Sequence, residues 1–233
     1  MQASSTVAER RLGAYTAILG SICAMSGAAL MLVSGADIDL AIADDQVGAY
    51  LMAAGEHKGL LVANLTVWMV MAFLLGIAAT AMTSLSGKHR VWSVLARYCY
   101  WTGVPLVLAA YVGWLAVVVQ VAPDTSPPAI LLAETMGWFA PRADWVATIL
   151  IIGIGPTFIS LAGREDWVPK WLLLWSFVTA ASAALNAVAM LTGGAGLATY
   201  GFAIIPVGVG WRIVAGIVLA RGAVAHSPST DAP

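Results

Sequence analysis

Three features of the sequence predict an all-α, polytopic membrane protein with six transmembrane helices. Six apolar stretches are each long enough to cross a bilayer, their connecting segments alternate in charge, and almost nothing inside them is ionisable. The stretches are 13–34, 59–84, 94–122, 144–163, 170–192 and 196–220. A crossing needs about 20 predominantly apolar residues, because a rise of ~1.5 Å per residue must cover ~30 Å of hydrocarbon. With 61% hydrophobic and 10% charged residues, the chain lies far from a soluble domain, which carries about 25% charge. Helices satisfy every backbone group within one segment, whereas a β-barrel would show short alternating stretches.

The first stretch follows Arg10-Arg11 and ends near Ser34-Gly35-Ala36. It resembles a signal peptide in outline, but its apolar run exceeds the usual 7–15 residues, so a retained span is expected. The outer segment after it contains Asp44 and Asp45, candidate caps for a short helix whose apolar stripe is Val47, Tyr50, Leu51 and Ala54. The second and third spans are joined by a short basic segment. Beyond the third, Ser126-Pro127-Pro128 signals another helix start, and Ile130 to Phe139 form an apolar piece ending at Pro141. Short interfacial helices are therefore expected in both longer outer loops, either as a cap on the bundle or as lids over a cavity. The predicted organisation is a tail over 1–12, a six-helix domain over 13–222 and a disordered tail over 223–233.

With the N-terminus inside, Arg10, Arg11, Lys88, Arg90, Arg97, Arg164, Lys170 and Arg221 fall on the inner side, and only Lys58 and Arg142 outside. Asp37, Asp39, Asp44, Asp45, Glu56, Asp124, Glu134 and Asp144 all fall outside. The excess of Lys and Arg in short inner segments predicts two cytoplasmic termini in a bacterial inner membrane. No basic surface for nucleic acid is present. Membrane lipids, another membrane protein or a second copy are the expected partners, and no cofactor is expected.

Cys23 and Cys99 lie at different predicted depths, outside any CxxC or Cys/His cluster, and read as small packing residues. Rows of small residues (Gly13, Ala17, Ser21; Gly20, Ala24, Ala28; Thr179, Ala183, Ala187) allow close helix approach or self-association. Trp92, Tyr98, Trp101, Trp167, Trp171 and Trp175 mark the inner boundary, and Tyr50, Trp138, Trp145 and Tyr200 the outer one. Trp68 and Trp114 sit deeper, where core packing is the expected role.

Few residues can carry chemistry. No nucleophile, base and metal set is visible, and His57, His89 and His226 lie in loops or the tail, so no catalytic or metal site is assigned. Arg212 is the exception within the spans. Gly208 and Gly216 flank it at i−4 and i+4, which places it on a close-packing face. It either snorkels to the inner surface or points into the bundle toward carbonyls, hydroxyls such as Thr157, water or an anionic group. Pro105, Pro156 and Pro206 interrupt the third, fourth and sixth spans, and each frees the carbonyl four residues earlier. Paired interruptions are one sequence pointer to a transport site, and simple kinks are the other reading. Asn64, Gln120 and Asn186 are expected in the outer halves of their spans, as a polar rim or as interhelical ties. Asp44, Asp45, Glu56, His57, Glu134 and Asp144 form an acidic outer face that can hold a cation or simply be solvated.

The layout resembles a bacterial family of six-helix integral membrane proteins of unknown function. The resemblance rests on Arg11-Leu12-Gly13-Ala14 entering the first span, the two helical outer loops and Gly210-Trp211-Arg212 in the last span. It implies a six-helix fold and brings no activity or site residue with it. The expected function is a small binding or transport protein for an apolar or amphipathic molecule, one with an anionic end included. Arg212 with the Pro/Gly breaks, and Thr157 as a candidate partner, would form the inner site, and Asn64, Asn186 and Gln120 the outer rim. The alternative is a non-catalytic accessory or structural subunit of a larger membrane complex.

Overall fold

The computed structural model describes residues 2–192 and 197–225. Among them every regular element is a helix: α1 (Gln2–Ser34), α2 (Ile38–Ala43), α3 (Val47–Glu56), α4 (Lys58–Ser84), α5 (Arg90–Ala116), α6 (Pro127–Thr148), α7 (Gly155–Gly163), α8 (Lys170–Thr192) and α9 (Leu197–Ala225). A π-helical turn, Val117–Val121, extends α5, and a π-helical segment, Ile149–Ile154, joins α6 to α7. Six helices are long and apolar enough to cross a membrane, in agreement with the sequence. His226 and the rest of the expected C-terminal tail beyond 225 lie outside the described residues, as does the side chain of Tyr200.

The boundaries differ from expectation in two places. Helix α1 already begins at Gln2, ahead of the expected apolar stretch at 13, and its candidate span covers Thr6–Ser34. The apolar piece after Ser126 forms as expected but does not end at Pro141. It runs through that proline and the π segment to Gly163 as one 37-residue stretch. Pro141 is buried inside the helix, which packs as a whole on α5 and α2.

Helix α1 packs mainly on α4 and then on α9, α4 on α5, and α5 on both α6 and α7, while α8 closes against α9 and the π segment. The small-residue rows serve this packing. A Cβ on Gly20 would meet Leu75 at 2.8 Å, and one on Gly216 would meet the Ala14 carbonyl at 3.0 Å. Close approach replaces a hydrophobic driving force between helices in lipid.

The bundle has two chemically distinct ends. At the basic end, Arg97 Nε donates to Thr83 Oγ1 at 2.9 Å, and His89 meets Glu165 at 2.9 Å, joining the 85–89 and 164–169 connections. The His89 hydrogen bond, followed by its charge and that of Lys88, lowers the Glu165 pKa below its ordinary value. The acidic end is closed by α2, α3 and the start of α6. The expected stripe Val47, Tyr50, Leu51 and Ala54 is the buried face of α3. Asp44 and Asp45 do not cap it. Gln46 precedes α3 without a side-chain bond, and Asp45 takes a positive φ of 55° in the turn before it. The capping aspartate is Asp37, whose carboxylate accepts from the Asp39 and Leu40 N–H groups at the start of α2. The aromatic belt is also partly internal. Tyr98, Trp101, Trp138 and Trp171 are exposed, whereas Tyr50, Trp167 and Trp211 are buried.

Candidate functional site

Two polar regions lie inside this apolar bundle, one around Arg212 and one at the acidic end. Arg212 does not snorkel. It is 2% exposed and its Nη2 donates to the carbonyl of Ile151. The π register explains why that carbonyl is available. The Gly155 N–H bonds five residues back to Leu150, so the next acceptor in register is Ile151, and its donor would be the N–H that Pro156 lacks. The sequence had pointed to the carbonyl four residues before the proline, and the π turn moves the vacancy by one. Gly208 permits the contact, because a Cβ there would stand 2.2 Å from Ile152 Cγ2 and 2.8 Å from its oxygen. The Tyr100 phenol stands beside the guanidinium. Arg212 Nε and Nη1 have no partner among the described residues.

The other face of the π segment is held by α8. Thr179 Oγ1 donates to the Gly153 carbonyl at 2.7 Å, where Gly153 and Ala183 are in close contact. Thr157 does not reach Arg212. Its hydroxyl donates to the Ser176 carbonyl at 2.6 Å and ties α7 to α8. This region is therefore a hydrogen-bonded belt around an interrupted helix.

The expected outer rim does not assemble. Asn64 is buried and donates to the Gly27 carbonyl at 2.6 Å, tying α4 to α1. Asn186 donates within its own helix to Ser182 at 2.8 Å, and Gln120 is exposed on the π turn after α5. Pro105 and Pro206 are exposed on the outside of the bundle, and only Pro156 of the three is buried. They frame no common site.

Besides a cavity of about 510 Å³ between α1, α4 and α5, lined by Glu9, Phe73 and Tyr100 among others, the described residues form one at the acidic end. It has a volume of about 100 Å³ and is bounded by α1, α4, α5, α6, the π segment and α9, with the Asp37–Asp39 connection at its mouth. Asp37, Asp39 and Asp144 line it together with Trp68, Tyr111, Trp114 and Trp145, and Ile152 and Ile205 lie deeper. The Tyr111 hydroxyl donates to Asp144 Oδ1 at 2.7 Å, and the Tyr111 ring stacks on Trp68 with centroids 5.2 Å apart. The Trp114 indole N–H donates to the Tyr50 hydroxyl at 2.7 Å. Burial raises the Tyr50 pKa to about 12, so that hydroxyl stays neutral. The Asp39 carboxyl is pushed up to about 6, mainly by burial and by Asp37, against the opposing pull of Arg142 and the Trp145 indole. Arg142 Nη1 lies 3.7 Å from Asp39 Oδ1, and its guanidinium covers the Trp138 ring at 4.6 Å.

Sequence reasoning missed this site because it placed Asp144 at the outer start of the fourth span and took Trp68 and Trp114 as packing. The signal was Asp144-Trp145 beside a phase of apolar residues, with Thr148 one turn on, which read as the start of a span instead of its interior. The acidic face of Asp44, Asp45, Glu56, His57 and Glu134 does not gather around Asp144. Among the described residues, no three His, Cys, Asp or Glu side chains are placed to hold a metal ion.

No protein-family profile, no curated protein and no solved structure matches this chain.

Proposed function

We propose that this multi-pass membrane protein binds a small amphipathic molecule at its acidic end, as the substrate site of a carrier or as a receptor-like pocket. The observation that carries the reading is the aromatic cavity of about 100 Å³ beneath α2, reaching from carboxylates at its mouth to Ile152 and Ile205. Its lining, mostly apolar with a few convergent polar groups, has the character of a small-molecule site, and its volume, below the ~300–1,000 Å³ of drug-sized pockets, suits a ligand of a few heavy atoms. The Lys and Arg distribution favours the basic end and both termini in the cytoplasm of a bacterial inner membrane, so the cavity would face outward. The likeness to a six-helix family of unknown function is consistent with this placement and adds no substrate.

Arg212 is outside this cavity, and its bond to Ile151 argues for a structural role. The accessory-subunit reading leaned on the small-residue rows, and those of α1 are occupied by α4 and α9 of the same chain. The test is native mass spectrometry of the protein released from detergent or nanodiscs, beside Ala28→Trp, which fills the cavity. A small molecule carried by the native chain and missing from the variant is the expected result. Identical small-molecule content in both, with partner proteins retained, would favour the accessory subunit.

A further inference from the structure

We propose that the acidic-end cavity takes the ammonium end of a small amphipathic amine, and that this cation and a proton exclude one another there. The inference rests on the binding reading above and names the ligand class.

The lining shows what the cavity can offer. Trp68 Nε1 faces the Ala24 carbonyl at 3.5 Å, Trp114 Nε1 is bonded to Tyr50, the Tyr111 hydroxyl to Asp144, and the Trp145 indole N–H serves Asp39. Each aromatic donor is thus engaged by the protein. What remains for a ligand is aromatic and aliphatic surface, the Thr148 hydroxyl and carboxylate oxygen. Aromatic surface attracts cations through the ring quadrupole, and carboxylates do so by charge. A ligand carboxylate or phosphate would find no cation in this lining.

The charge balance points the same way. Asp37 and Asp39 face the cavity from the α1–α2 connection and α2, and Asp144 from α6. The phenols that adjoin it are Tyr111 of α5 and, through Trp114, Tyr50 of α3. The lining residues of α1, α4 and α9 are uncharged. The nearby cation is Arg142, which approaches Asp39 from outside the cavity while also donating to the Trp138 carbonyl at 2.9 Å. Three carboxyl groups therefore face the cavity and only Asp39 meets a guanidinium, in a half-buried setting where an uncompensated negative charge is costly. A proton or a bound cation relieves that cost, and one makes the other unnecessary. Asp39, held up to about 6, is the group poised to make the exchange. The carboxyls do not converge on a point that would ligate a metal ion, whereas an ammonium on an organic body can reach them while its apolar part fills the space toward Ile152.

The experiment is isothermal titration of the full chain in detergent micelles with three ligands sharing one isobutyl body: isoamylamine, isoamyl alcohol and isovalerate. Ala28→Trp supplies the background of micelle partitioning. At pH 7.5 the amine should bind at least tenfold tighter than the alcohol or the acid. At pH 5 its affinity should fall at least tenfold, and across buffers of different ionisation enthalpy the heat should report proton release on binding. Asp39→Asn should reduce the pH dependence, and Asp144→Asn should weaken the amine at least tenfold. Equal binding of alcohol or isovalerate, lost in Ala28→Trp, would overturn the cation assignment and leave the cavity as a ligand site. Amine affinity unchanged at pH 5 and in Asp39→Asn would overturn the exclusion of the proton. Absence of amine binding at both pH values would overturn the inference, while the mass-spectrometric comparison judges the binding reading separately.

Discussion

The belt around Arg212 and the cavity around Asp144 are both polar islands in an apolar bundle, yet they are finished differently. In the belt, polar side chains fill vacancies left by an irregular backbone: Arg212 takes the carbonyl that Pro156 leaves open, and Thr179 takes that of Gly153. Glycines bring the helices close enough for this, while Arg212 Nε and Nη1 keep no hydrogen-bond partner among the described residues. In the cavity the aromatic donors are tied off by the protein and an excess of carboxylate faces open space. The difference shows that an intramembrane charge marks structure when a backbone defect calls for it. It marks a site when its neighbours leave it unbalanced beside a space.

The largest expected effect comes from wedging the belt apart. Gly208→Val places methyl groups against the Ile152 backbone and should cost about 3 kcal/mol of stability, read from denaturation in detergent. A variant as stable as the native chain would break the account of close approach. Arg212→Met should cost about 1–3 kcal/mol through the orphaned Ile151 carbonyl, less whatever is gained by removing a buried charge, while leaving ligand binding at the acidic end intact. Adding Pro156→Ala restores an N–H to that register and should recover part of the loss. Simple additivity in this double-mutant cycle would separate the two residues physically.

On the cavity side, Tyr111→Phe leaves Asp144 without its phenolic donor and should cost about 1.5 kcal/mol in thermal or chemical unfolding, with weaker ligand binding. Asp39 provides a pH test. Its folded pKa is raised to about 6, above the ~3.9 of an unfolded aspartate, so between these values the native chain binds more protons. Its contribution therefore falls as pH rises through that window. Asp39→Asn should raise the melting temperature at pH 7.5 and leave it nearly unchanged at pH 4, and a gain confined to acid would refute the assignment. The smallest effect belongs to Gln120→Ala, exposed on the π turn, which should change stability by less than ~0.5 kcal/mol and spare binding.

Much of the belt was legible and little of the cavity was. Arg212, Gly208 and Pro156 stood out because a charge, a small residue and an imino acid are each unusual against an apolar helix. Their pairing was not legible, because the contact joins residues 61 apart and depends on a π turn that no local pattern announces. The cavity was hidden for a related reason. Tyr111 and Asp144 are 33 residues apart, and Trp114 and Tyr50 are 64 apart, so each looks like belt or core in its own segment. The continuity of α6 through Pro141 also moved Asp144 from the expected outer end of a span to the interior of a helix.

By itself the sequence determined the number of spans, their order and the division into an acidic and a basic end. Lipid imposes those through run length and backbone satisfaction, which are properties of each segment alone. Only the tertiary structure decided that Arg212 is bonded inward, that Asn64 ties α1 to α4, and that three carboxyls share one aromatic cavity. Those outcomes depend on which helix faces which, and in an apolar solvent that choice rests on packing and hydrogen bonding between distant segments.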